Sequence, residues 1–398
     1  MREMKDSGVE WVGKIPEYWK IVKVKYVISI TNGSEPLTES GDTSVYGSGS
    51  KSFRTCEEYK QGSAVLLGRK GTINIPQWIE GKYWNIDTAF DAKSKSKDIN
   101  LKLYYYFSVC FDYEKYATQT AIPSMKQSDY NNMKIPLPPI EEQNKIVSYL
   151  DRKCAEIEKI IELKNQQIDL LKEYRKTLIS ETVTKGLNKK VKLKDSGVSW
   201  VGEIPEHWSV HPVYYYFGER KNKNSSGLEK NLLSLSYGKI VRKNINSNNG
   251  LMPENFDTYN IIEKNDIIIR PTDLQNDQKS LRTAISEEHG IITSAYIALK
   301  PVRNINAGYF HYLLHTYDVM KVFYNMGNGI RQSMNFSEFS QLIVFEPPLS
   351  EQEEISAYLD KKCTEIEKII DLKNQQINLL HEYKKTLIYE YVTGKQEV

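Results

Sequence analysis

One long segment occurs twice in this 398-residue chain. Residues 138–184 read "PPIEEQNKIVSYLDRKCAEIEKIIELKNQQIDLLKEYRKTLISETVT", and 347–393 repeat 33 of those 47 positions at an offset of 209. A shorter peptide also recurs. "DSGVEWVGKIPEYW" (6–19) returns as "DSGVSWVGEIPEHW" (195–208), with 11 of 14 positions identical at an offset of 189. A chain built this way has two equivalent frames, so its fold must hold two equivalent units. Between the frame pieces lie two inserts, roughly 20–137 and 209–347, the second about 20 residues longer because the offsets differ by that amount. The inserts share only short echoes: "TAIPSMKQSDY" with "GIRQSMNFSEF", "DTAF" with "TSAY", and "VLLGR" with "DIIIR". Each insert therefore reads as the same small fold with rewritten loops.

The long repeat has the pattern of a helix. A Pro pair precedes it, Glu141 and Glu142 fall in its first turn, and no Gly or Pro interrupts 141–184. Leu150, Cys154, Ile157, Ile161, Ile168, Leu171 and Leu178 follow a coiled-coil spacing. Leu359, Cys363, Ile366, Ile370, Ile377, Leu380 and Leu387 repeat it. Ile160, Leu163, Leu170 and Tyr174 form a second apolar stripe beside the first. A rod of ~42 residues at ~1.5 Å per residue is too exposed to stand alone. The matching rod is the obvious partner, and an antiparallel pair with pseudo-two-fold symmetry is expected. The predicted fold class is α/β (α+β): two globular domains, each followed by a long helix. The expected boundaries are 1–137, 138–184, a basic linker 185–194, 195–346, 347–393 and a tail 394–398. Cys154 and Cys363 occupy equivalent seam positions and are read as small buried hydrophobes.

Composition excludes several classes. A net charge of +3 is too small for a bulk-charge nucleic-acid binder, so any recognition must be local. The Cys residues (56, 110, 154 and 363) show no CxxC or Cys/His spacing, and no apolar run approaches a membrane span. The "MREMKDSGVEW" start has no signal core, so a cytoplasmic protein with reduced thiols and no metal is expected. No phosphate-loop or S-adenosylmethionine motif occurs. The acidic residues of "RPTDLQNDQK" (270–279) sit too close together for a nuclease cluster, and His311 with His315 lacks the Glu of a zinc helix.

The duplicated "DSGVEWVGKIPEYW", "PLPPIEEQ" and "YRKTLISETVTKGL" together resemble the specificity subunit of type I restriction–modification enzymes, over essentially the whole chain. The resemblance implies a non-catalytic subunit whose inserts are target-recognition domains, each reading one half of an asymmetric split site in double-stranded DNA. It implies that the helices set the spacer and dock two modification (methyltransferase) subunits, with restriction subunits as a further component. S-adenosylmethionine, ATP and Mg would then belong to those partners.

Base readout needs donors and acceptors on loops, with Arg suited to guanine and Asn or Gln to adenine. In the second insert the candidates are Arg270, Asp273, Gln275, Gln278, Lys279 and Arg282 on one loop, and Arg331, Gln332 and Asn335 on another. In the first insert the matching places offer Arg69, Lys70 and Thr72, then Gln119, Thr120 and Lys126, with Lys51 and Arg54 from "SGSKSFR". The competing readings are a coiled-coil scaffold without DNA specificity and a self-sufficient nuclease.

Overall fold

The computed structural model describes residues 2–49, 51–118, 120–244, 255–274, 281–326 and 333–398. The chain forms two compact units, and neither coincides with a frame piece. The first comprises 1–166 and 373–398, the second 167–372. The expected boundaries at 137, 184 and 346 lie close to element ends, but the long helices are not separate domains. Each is divided between the units, because an antiparallel partner brings the end of one helix to the start of the other.

The repeated segments are helical, Ile140–Lys185 and Leu349–Val392. In the first unit Tyr149 packs against Tyr391 with tilted rings, Glu158 accepts from Lys384 at 2.5 Å, and Lys164 donates to Gln376 at 2.7 Å. Partner numbers fall as residue numbers rise, so the helices run antiparallel. In the second unit Arg175 donates to Glu367 at 3.1 Å, the duplicate of the Lys384–Glu158 pair with Arg in place of Lys. Leu150, Cys154, Ile157, Ile161, Ile168, Leu359, Ile366, Ile377 and Leu387 are buried. Leu171, Leu178, Cys363, Ile370 and Leu380 are half-buried. Burial pushes both the Cys154 and Cys363 thiols upward, as for small core side chains. No described helix is long and apolar enough to cross a membrane.

Each insert is entered and left through one antiparallel ribbon: Lys20–Lys23 pairs with Lys134–Leu137, and Ser209–Pro212 with Ile343–Glu346. Beyond it stands a four-stranded sheet. In the first unit the order is Ile28–Asn32, Ala89–Ser94, Ala64–Gly68, Gln77–Ile79. In the second it is Phe217–Glu219, Ile297–Pro301, Ile267–Ile269, Thr283–Ile285. The strands Ala64–Gly68 and Ile267–Ile269 are buried throughout, which explains why "AVLLG" and "III" run apolar without alternation. A helix then packs on each sheet, Leu101–Val109 capped by the Asn100 side chain and Ala307–Val319 capped by Asn306.

The recurring 14-residue peptide locks these parts together. Trp19 is fully buried, and its indole donates to Glu142 at 3.0 Å in the first turn of the first long helix. Gly394 (φ +71), just past the end of the second long helix, lies against it: a Cβ there would come within 2.9 Å of the indole and 2.4 Å of Pro16. The second unit repeats the lock, with Trp208 donating to Glu351 at 3.2 Å and Gly186 (φ +69) closing over it. Each peptide thus clamps one helix start to the other helix end within its own unit.

Candidate nucleic-acid interface

The loop pairs chosen from sequence meet in both units. In the first, the strand Ala64–Gly68 ends at Gly68, and the chain turns so tightly that a Cβ there would lie 2.4 Å from the Thr72 carbonyl. The next residues meet the 123–125 segment: Met125 N–H donates to the Arg69 carbonyl at 2.9 Å and Gly71 N–H to Pro123 at 2.9 Å. Tyr130, fully buried, donates its hydroxyl to the Gly68 carbonyl at 2.8 Å from beneath. In the second unit, Met334 N–H donates to the Pro271 carbonyl at 3.0 Å, so the loop after Ile267–Ile269 meets the equivalent Ser-Met segment.

The side chains divide into three groups. Lys51, Lys70, Thr72, Thr120 and Lys126 are exposed. Thr120 spends its hydroxyl on the Ile122 carbonyl at 2.7 Å, while the Lys126 backbone N–H donates to Asp129 at 3.2 Å. Arg54, Arg69, Arg270 and Asp273 are half-buried. Arg54 pairs with Glu35, and Arg69 donates to the Asp87 carbonyl at 3.1 Å. Arg270 lies 3.7 Å from the Asp273 carboxylate. Asn335 is exposed but caps the short helix Phe336–Phe339, accepting from Glu338 N–H at 2.9 Å, so its side chain is committed to the fold. Gln119, Gln275, Gln278, Lys279, Arg331 and Gln332 lie outside the described residues.

Arg282 departs from the expectation of a base reader, because its side chain is fully buried. Its guanidinium donates to the carbonyls of Thr272 (2.5 Å), Asp273 (2.7 Å) and Arg270 (3.4 Å), and to the Tyr324 hydroxyl at 3.2 Å. The Asp318 carboxylate accepts from the Arg282 backbone N–H, and desolvation raises that carboxyl to about 6. A polar run in sequence thus hides one residue that turns inward to hold its own loop.

Sequence reasoning also missed contacts that join insert to frame. Asn100 N–H donates to Gln143 at 2.8 Å, and Asn306 N–H to Gln352 at 2.9 Å. Tyr106 donates to Asp151 at 2.6 Å, and Tyr312 to Asp360 at 2.8 Å. The signal was present: an "IN" dipeptide opens both insert helices, six residues before each Tyr. His311 and His315 have ring centroids 6.3 Å apart, and desolvation pushes them down to about 3 and about 4. Neither belongs to a metal-ligating cluster, and no such cluster occurs among the described residues.

Comparison with known proteins agrees with this architecture. Residues 16–173 match the family model of the type I restriction modification DNA specificity domain. A Methanocaldococcus jannaschii protein described as the specificity subunit of the type I restriction enzyme MjaX is 26% identical over 292 residues, covering 71% of this chain and 64% of that protein. The MjaVIII type I specificity subunit of the same organism is 31% identical over 147 residues, covering 37% of this chain and 30% of its own length. The chain thus spans just under two thirds of the first relative and less than a third of the second. Among solved structures, a chain from a study of complex assembly and conformational transition of the type I R-M system matches with TM-score 0.67 at 14% identity, covering 96% of this chain and 99% of that one. The HsdS subunit from Thermoanaerobacter tengcongensis matches with TM-score 0.50 at 13% identity, covering 96% and 98%. With residues 16–173 matched to the specificity-domain model and the fold matched in structure, the chain is similar to type I restriction–modification specificity subunits.

Proposed function

We propose that this chain is the sequence-specific DNA-binding subunit of a type I restriction–modification complex, each insert reading one half of a split site. The carrying observation is the contrast inside each unit: a repeated frame, contact for contact, holding a pair of loops whose sequences differ. A scaffold without DNA specificity needs the frame but gives no reason for two unlike loop pairs to meet at the same place on both sheets. The exposed Lys51, Lys70 and Lys126 suit phosphate contacts that set register, while half-buried, oriented polar groups such as Arg69 and Arg270 suit base edges.

Catalysis, and with it S-adenosylmethionine, ATP and Mg, is assigned to partner subunits that this chain positions. The second apolar stripe supports two docking sites for modification subunits. In the first unit Ile160, Leu163, Leu379 and Tyr383 remain exposed. In the second unit the exposed set is Ile369, Leu372, Leu170 and Tyr174, the same four frame positions. One kind of partner meeting both patches gives two copies per chain. Restriction subunits and a cytoplasmic, nucleoid-associated setting complete the reading.

Methylome sequencing of cells expressing this chain with its modification partner tests the proposal. A split, adenine-methylated motif is expected. Unchanged methylated sites when an unrelated specificity subunit replaces this chain would contradict it.

A further inference from the structure

We infer that Arg282 sets the base preference of the second unit as a positioning residue, shaping the reading loop from beneath without touching DNA. The inference rests on the reading of 270–274 as part of a DNA-reading loop. In this loop four consecutive carbonyls are engaged. Those of Arg270, Thr272 and Asp273 accept from the Arg282 guanidinium, and that of Pro271 accepts from Met334 N–H. The Arg270 N–H in turn donates to the Arg282 carbonyl at 2.8 Å. A stretch tied at four consecutive carbonyls cannot slide by a residue, so the directions of the Arg270 and Asp273 side chains are set by the guanidinium below them.

Two further features point the same way. Asp273 adopts φ +57, a left-handed conformation that a non-glycine residue holds only when its surroundings impose it. The bond from Arg282 to the Asp273 carbonyl is such a constraint. The guanidinium is itself fixed from the other side: it lies 5.1 Å from the Tyr324 ring centroid and donates to the Tyr324 hydroxyl, while Asp318 holds its backbone. Only a planar fork of five N–H donors can bind neighbouring carbonyls and a hydroxyl at once; an ammonium on a flexible stem offers three donors at one point.

Arg282→Lys therefore keeps the charge and removes the fork. In complex with the modification partner, its discrimination between cognate and non-cognate bases in the second half-site should fall about tenfold, the order of one good base contact. The first half-site should keep wild-type discrimination. The slope of log affinity against log salt should also stay at its wild-type value, because no phosphate contact is lost. Wild-type discrimination in both half-sites by a folded Arg282→Lys complex would overturn the inference. So would a salt slope lowered by about one contact, which would make Arg282 a direct DNA ligand. Tyr324→Phe removes one bond to the fork and keeps the packing, so it carries the test if the lysine variant does not fold. A twofold to threefold relaxation confined to the second half-site is expected, and none would contradict the inference. If the wild-type complex itself shows no split motif, the functional reading fails first and this inference falls with it.

Discussion

The two loops proposed to read DNA sit at the same place on equivalent sheets, yet they are held by different chemistry. In the first unit a neutral hydroxyl suffices: Tyr130 reaches the Gly68 carbonyl, and glycines at 68 and 71 let the chain fold back on itself. In the second unit the position matching Tyr130 is Phe339, fully buried but without a donor. There the support is Arg282, a buried cation spread over three carbonyls and a hydroxyl. The frames show the reverse. The Trp–Glu lock, the Gln bridge, the Tyr–Asp bond and the cation–Glu367 or Glu158 pair all recur with matched partners. What must be equivalent is conserved between the copies down to single bonds. What must differ carries its own support, so one loop can change without disturbing the other.

The largest expected effect tests the equivalence. Trp19→Ala and Trp208→Ala each empty a buried site between two helix ends, and each should cost about 3–5 kcal/mol. Denaturant unfolding of the two variants should give losses alike within about 1 kcal/mol; a loss from only one would break the likeness of the frames.

Acid should next separate the units. The second contains His311 and His315, held neutral by desolvation, whereas the first contains a single histidine, the exposed His381. A histidine with a depressed folded pKa contributes stability that is complete above its unfolded value of about 6.5 and is lost as pH falls toward the folded value. The Asp318 carboxyl, raised to about 6, acts in the opposite sense, as do the Asp266 carboxyl, raised by desolvation, and the exposed His289, raised by its bond to Glu263, without cancelling the histidine pair. The net expectation is a loss of about 2 kcal/mol in the second unit between pH 7 and pH 5. Hydrogen exchange read by mass spectrometry should show protection falling in peptides from 281–320 and holding in peptides from 60–110.

Tyr130→Phe makes the first loop resemble the second without its arginine. Loss of one buried hydrogen bond should cost about 1 kcal/mol and relax discrimination in the first half-site alone. Smallest of all, Glu158→Gln and Glu367→Gln remove the duplicated, partly exposed ion pairs and should each cost less than about 1 kcal/mol in a thermal melt.

Much of the frame was legible in the sequence because a duplicated helix declares itself through its period and its repeat. The burial of Leu150 and Leu359, or of Ile157 and Ile366, follows from spacing alone. The echoes "SMKQSDY" and "SMNFSEF" also located the segments that meet the reading loops. The direction of a loop side chain was not legible. Arg282 and Arg270 look alike in a polar run, and only tertiary packing decides that one turns into the core. Asn335 likewise reads as a base contact until the following residues form a helix that uses it as a cap. The compact units were hidden for a related reason: a spatial unit made from the start of one helix and the end of another has no single sequence boundary.

The most direct test of the account is an insert exchange. Lys20 pairs with Leu137 and Ser209 with Glu346 in the entry ribbons, so residues 20–137 can replace 209–346 at matched ends. Methylome sequencing of cells carrying this chain with its modification partner should then reveal a motif built twice from the half-site of the first insert. A motif that still contains the original second half-site would contradict the account.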